Sequence, residues 1–236
     1  MFRLCSIKSS VYCSRRNARE SAVSQSDEIV FYTNPMSRGR IARWMLEEIG
    51  QPYRTVVLDY GTTMKAPDFL AINPMGKVPA VTRGDVTVTE CAAICAWLAD
   101  TFPEAGLAPA LDDPARGAYL RWMFFGAGPL EAAVTAKTLG LLAPADKAGT
   151  AGYGSFEQVV DALETVVSGA GPWLLGDRFS ALDVYLGSQI GWGMQFKSLP
   201  DRDVFKVYAA RLFQRPAAIR ARELDDALIA AAKPGS

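Results

Sequence analysis

The chain has 236 residues, 50% of them hydrophobic and 21% charged, enough to bury the core of one large domain or two small ones. Lysine plus arginine (25) balances aspartate plus glutamate (25), so no broad basic field exists to hold nucleic acid or an anionic membrane, and no apolar run reaches the roughly 20 residues of a bilayer span. The chain has no histidine, which excludes histidine-based nucleophile relays and histidine-ligated zinc, and Cys5, Cys13, Cys91 and Cys95 have neither zinc nor Cys-x-x-Cys spacing, so no metal and a reducing, cytoplasmic compartment are expected.

Residues 1–26 show no periodicity and carry Arg3, Lys8, Arg15, Arg16 and Arg19 against Glu20, so 1–27 reads as a disordered extension, with organelle targeting as the other reading. "IVFYT" from Ile29 is a short buried strand. After the Asn34-Pro35 break, Ile41, Met45 and Ile49 with Ala42 and Leu46 recur at helical spacing until Gly50, a good C-terminal stop. "YRTVVL" (Tyr53 to Leu58) is a second strand, and the strand–helix–strand order favours a parallel pair. "DFLAINP" gives at most a short irregular helix. "VPAVT" and "VTVT" flank Arg83-Gly84-Asp85 as a hairpin, and "CAAICAWLAD" closes the unit as a helix. Proline-rich 103–114 is a linker, Asp113-Pro114 marks a helix start, and the remainder reads as helices. The expected units are thus an α/β domain over 28–103 and an all-helical one over 112–232.

Two stretches point to chemistry. "FYTNPMSRGR" brings the hydroxyl of Ser37 to a helix start with no histidine to take its proton. In "NPMGKVPAV", Pro79 at the head of a strand has no amide for the ladder, so the backbone of Val78 is free to pair with a ligand.

The strand and helix order, "GKVPAV" and "TECAAICAWLAD" resemble the N-terminal domain of the glutathione transferase superfamily, and "GDRFSALDV", with Ser180 and Asp183 as a capping box, resembles its helical C-terminal domain. The resemblance implies an α/β thioredoxin-like N-terminal domain, an all-α C-terminal domain, glutathione as co-substrate, a small and mostly apolar electrophile as the second, and a homodimer. It places the γ-glutamyl end of glutathione at Glu90 and the amide of Cys91, the cysteinyl backbone on Val78 beside a cis Pro79, and the glycyl carboxylate near Lys77. Cys91 departs from the usual serine or threonine, which weakens its side-chain hydrogen bond.

By the same resemblance Ser37 faces the glutathione sulfur, with Tyr32 at the strand end as runner-up. The nucleophile is then the ligand's own thiol. Lowering its pKa by about 2 units takes about 2.7 kcal/mol, which a hydrogen bond to the charged form (roughly 1.5 to 3) and a helix N-terminus (roughly 0.3 to 1) can supply. Tyr119, Trp122 and Phe125 at three-residue steps, with Trp192, could wall the second-substrate site, although such stripes are usually core. The alternatives are a non-catalytic transferase-like binding or structural protein, or a glutathione-dependent peroxidase or thiol reductase, and a reductase needs a reactive cysteine near residue 37, where this loop has none.

Overall fold

The computed structural model describes residues 27–169 and 171–232; the expected extension falls, but for Asp27, outside the described residues, as do Cys5 and Cys13. Strand β1 (Ile29–Thr33) sends Ile29 and Phe31 into the larger core and Tyr32 to the opposite face, the alternation that a strand between two helical layers requires. Helix α1 (Gly39–Ile49) follows and stops at Gly50, whose φ of 67° lets its amide reach the carbonyl of Leu46. Strand β2 (Tyr53–Val57) returns parallel to β1. Helix α2 (Pro67–Ile72) is regular where an irregular segment was expected, with Pro67 in the first turn where a missing amide costs nothing.

The hairpin of β3 (Ala80–Arg83) and β4 (Val86–Thr89) turns at Gly84 (φ 56°), and the sheet order is β2-β1-β3-β4 with β3 antiparallel to β1. Helix α3 (Cys91–Thr101) packs beside α1 on one face, while α2 covers Leu58, Met64, Phe69 and Ala80 on the other.

The second half is helical. The Asp113 carboxylate accepts the Ala115 amide at 2.8 Å, so α4 (Ala115–Phe125) begins one residue later than the Asp113-Pro114 pair suggests. It runs through a wide π turn at Gly126–Leu130, which accommodates Pro129, into α5 (Glu131–Thr138). Then come α6 (Phe156–Val167), α7 (Ala181–Gln195), α8 (Asp203–Leu212) and α9 (Pro216–Ala232). At the head of α7 the buried carboxylate of Asp183 accepts from the Ser180 amide (2.9 Å), the Ser180 hydroxyl (3.1 Å), the Leu174 amide (2.9 Å) and the Tyr208 hydroxyl (2.9 Å). Burial nevertheless pushes its pKa up. Among the described residues no helix is long and apolar enough to cross a membrane.

Helix α1 is clamped by α9. The Nε of Arg43 donates to Asp225 at 2.7 Å with both side chains almost wholly buried, and its Nη1 reaches the hydroxyls of Tyr53 (3.2 Å) and Thr55 (3.3 Å) on β2. Arg40 pairs with Asp226 (2.5 Å), Arg220 with Glu47 (3.2 Å) and Arg215 with Glu48 (2.7 Å) along the same seam. Breaking a buried pair leaves an uncompensated charge, whereas an exposed pair contributes little. Asp225→Ala is therefore expected to lower the free energy of unfolding in urea by about 3 to 5 kcal/mol, and Arg40→Ala by no more than about 1 kcal/mol. Equal, small losses would show that the clamp is a surface feature.

Candidate active site

The β1–α1 connection is folded around one asparagine. The Asn34 side chain donates to the Leu58 carbonyl (2.8 Å) and accepts the Met36 amide (2.9 Å), while its carbonyl accepts both the Ser37 amide (3.0 Å) and the Ser37 hydroxyl (2.6 Å). The Ser37 oxygen in turn accepts the Gly39 amide at 2.9 Å, the first amide of α1, from one residue ahead of the N-cap position at Arg38. That turn lies so close to β1 that a Cβ on Gly39 would stand 1.9 Å from the Thr33 hydroxyl oxygen, and only glycine fits.

A second asparagine does the same for the α2–β3 connection. Buried Asn73 donates to the Lys77 carbonyl (2.7 Å) and accepts the Met75 amide (3.1 Å), and Lys65 reaches the carbonyls of Met75 (3.1 Å) and Gly76 (2.9 Å). The Val78–Pro79 bond is cis. Strand pairing begins only at Ala80, so Val78 stands outside the ladder.

Glu90 precedes α3 with φ 65°, a left-handed conformation unusual for a residue with a side chain, and its carboxylate makes no capping bond. Such backbone costs of order 1 to 3 kcal/mol and persists where its surroundings fix it, often at ligand sites. Beside it the Cys91 thiol donates to the Arg38 carbonyl at 3.5 Å, tying the starts of α3 and α1 together. Burial pushes that thiol up to about 12; Arg38 opposes the shift, and Glu90 and Glu131 add to it. Cys91 is thus held as a neutral donor.

These pieces converge. Lys77, Val78, Pro79, Glu90 and Cys91 line one side of a cleft of about 300 Å³, with Arg38 at its edge. Ala127, Glu131, Tyr185 and Gln189 close it from the helical half, where the Gln189 side chain donates to the Gly126 carbonyl in the π turn (3.2 Å) and Arg38 meets Glu131 at 2.5 Å. Ser37 lines an adjoining cavity of about 520 Å³ with Met36, Tyr60, Met64 and Trp192, and the two spaces share Arg38, Lys77 and Val78.

Tyr32 lines neither space; it lies on the α2 face of the sheet, with its ring 5.7 Å from that of Phe69. Tyr119 and Trp122 are core, Phe125 packs edge-on against Trp122, and of the aromatic set only Trp192 reaches the cavity beside Ser37. Arg38, Glu131, Tyr185 and Gln189 line the cleft without any local motif to mark them. Asn73 carried one signal, an asparagine before proline at a helix end.

Residues 36–101 match the family model of the glutathione S-transferase N-terminal domain. The chain is 28% identical over 192 residues to a glutathione S-transferase of Xanthomonas campestris, covering 74% of this chain and 89% of that one. Among solved structures it is similar to a glutathione transferase of Methylococcus capsulatus (TM-score 0.69, 29% identity, 84% of this chain and 99% of that one). It is likewise similar to a sphingomonad glutathione S-transferase complexed with glutathione (TM-score 0.66, 30% identity, 84% and 98%).

A thiol held near 12 ionises tenfold more per pH unit well beyond pH 9. Alkylation of Cys91 by iodoacetamide, followed by mass spectrometry of its peptide, should rise by about that factor per unit from pH 7 to 10 with no plateau. A plateau below pH 9 would mean a thiolate-forming cysteine in the cleft.

Proposed function

The chain belongs to the glutathione transferase superfamily, and from that premise we propose that it binds glutathione along the cleft and delivers the thiolate to a small electrophile in the adjoining cavity. One observation carries this. The linings of the two spaces include a carboxylate beside a helix N-terminus (Glu90, Cys91), a backbone outside its ladder (Val78 before Pro79), a cation (Lys77) and a hydroxyl just before a second helix (Ser37), groups that suit the ammonium, carboxylates, backbone and thiol of the tripeptide. Glu90 takes the γ-glutamyl ammonium and the amide of Cys91 its carboxylate; Val78 pairs with the cysteinyl backbone and Lys77 meets the glycyl carboxylate.

The sulfur then lies at Ser37. Its S–H bond breaks, the proton leaves to solvent, and the electron pair on sulfur forms the bond to the electrophilic carbon as that carbon's bond to its leaving group breaks and the leaving group departs with the bonding pair. The hydroxyl must turn from the Asn34 carbonyl to the sulfur, and that carbonyl keeps the Ser37 amide at 3.0 Å. Exchanging a neutral hydrogen bond of about 1 kcal/mol for one to a charged group of about 1.5 to 3 leaves a net gain of roughly 0.5 to 2 kcal/mol.

Met36, Tyr60, Met64 and Trp192 suit a mostly apolar second substrate. We read 28–103 and 112–232 as the two units. In the homodimer the α/β unit of one subunit meets the helical unit of the other, a pairing supported by the exposure of Met75 on the first and of Phe124 on the second.

The thiolate absorbance of bound glutathione, titrated against pH, should shift upward by about 1 unit in Ser37→Ala and stay in place in Tyr32→Phe. The reverse pattern would move the sulfur to Tyr32. Glu90→Gln should weaken glutathione binding by about tenfold or more while the melting temperature holds. Loss of melting temperature with unchanged affinity would make Glu90 a structural cap.

A further inference from the structure

Ser37 by itself falls short of what thiolate formation asks, because its hydroxyl gives up the Asn34 carbonyl to serve the sulfur. The cavity that holds Ser37 is lined by three cations, Arg38, Lys65 and Lys77, and by no carboxylate among its described lining residues. Lys65 is committed to the carbonyls of Met75 and Gly76. Lys77 stands where the glycyl carboxylate is read to bind.

Arg38 remains. It follows Ser37 directly, lines both the cleft and the adjoining cavity, and keeps its side chain 55% exposed. Its side-chain ion pair is with Glu131, in the first turn of α5 on the far wall. We propose that Arg38 is the electrostatic counter-charge of the glutathione sulfur, and that Glu131 across the cleft sets how much of that charge the sulfur feels. This rests on the reading that the sulfur lies at Ser37.

Two groups already on the cleft walls register the same opposed fields. The Cys91 thiol on α3 and the Tyr185 phenol on α7 are each drawn down by Arg38 and pushed up by Glu131, with burial holding both above their ordinary range. The other ionisable groups around the two spaces are Glu90 at the start of α3, Lys77 on the α2–β3 connection, and Lys65 and Tyr60 on the segment before α2. On ionisation the proton passes to water and the guanidinium keeps all of its own, so no base is required. An opposite charge within about 4 to 6 Å lowers an acid's pKa by 1 to 3 units, and solvent access places Arg38 at the low end. An exposed pair such as Arg38–Glu131 is weakly held, so its partner tunes the guanidinium without locking it away.

The test is the thiolate absorbance titration of glutathione bound to the full chain, in Arg38→Met, Arg38→Lys, Glu131→Gln and Ser37→Ala. Arg38→Met should raise the thiol pKa by about 1 unit, and Arg38→Lys should restore most of it. Glu131→Gln, which keeps an acceptor for the guanidinium and removes the charge, should lower the pKa by about half a unit. Opposite shifts from the two ends of one ion pair are the signature, because a pair that merely joins the two halves would move both variants the same way. Shifts of one sign, or none for Arg38→Met while Ser37→Ala shifts upward, would overturn the role of Arg38. No shift for Ser37→Ala would overturn the placement of the sulfur on which it rests.

Discussion

The site depends on a guanidinium with almost no access to water. Arg43 lies under the sheet side of α1, held by Asp225 from α9 and by the hydroxyls of Tyr53 and Thr55, with its carbon 5.1 Å from the centre of the Phe31 ring. Burying such a pair is expensive, and its attraction repays the desolvation only when the geometry is good. The expense shows at Asp225, whose pKa burial raises even though Arg43 pulls it down. In return one residue joins α1, β2 and α9, so the first turn of α1 has a fixed height above the sheet.

The charges on either side of that pair run against the helix dipole. Helix α1 carries Arg40 and Arg43 toward its N-terminus and Glu47 and Glu48 toward its C-terminus, the reverse of what an isolated helix prefers. Their partners on α9 and just before it run in the opposite order, Asp226 and Asp225 against the arginines, Arg220 and Arg215 against the glutamates. The two helices therefore fit in one antiparallel register only. Arg38 is the exception at that end, since its partner is on α5. The dipole of α1 and the one arginine not drawn to α9 thus meet at the residue next to Ser37, where an anion has most to gain.

Much of this was legible in the sequence wherever a local pattern decides the outcome. The alternation in "IVFYT", the stop at Gly50, the Gly84 turn and the Ser180–Asp183 pair each predict their element within a residue or two. Val78 before Pro79 stood out from the strand pattern itself, Lys77, Glu90 and Cys91 came from resemblance, and the fold brings all five to one cleft. The far wall was not legible. Glu131 and Gln189 reach the cleft by way of a π turn around Pro129 and a helix distant in sequence, and neither spacing nor composition encodes that approach. Arg43 and Asp225 carry no mark in the sequence, because a buried ion pair looks like a surface one until its partner is known. Strand parity, visible only once both sheet faces are covered, separates Tyr32 from Ser37.

On the proposed reading the start of α1, with Ser37 re-aimed, receives the glutathione sulfur. A crystal structure with glutathione bound tests it most directly. The sulfur is expected within hydrogen-bond distance of the Ser37 oxygen, with the hydroxyl turned away from the Asn34 carbonyl. A sulfur lying elsewhere while Ser37 still donates to Asn34 would contradict it.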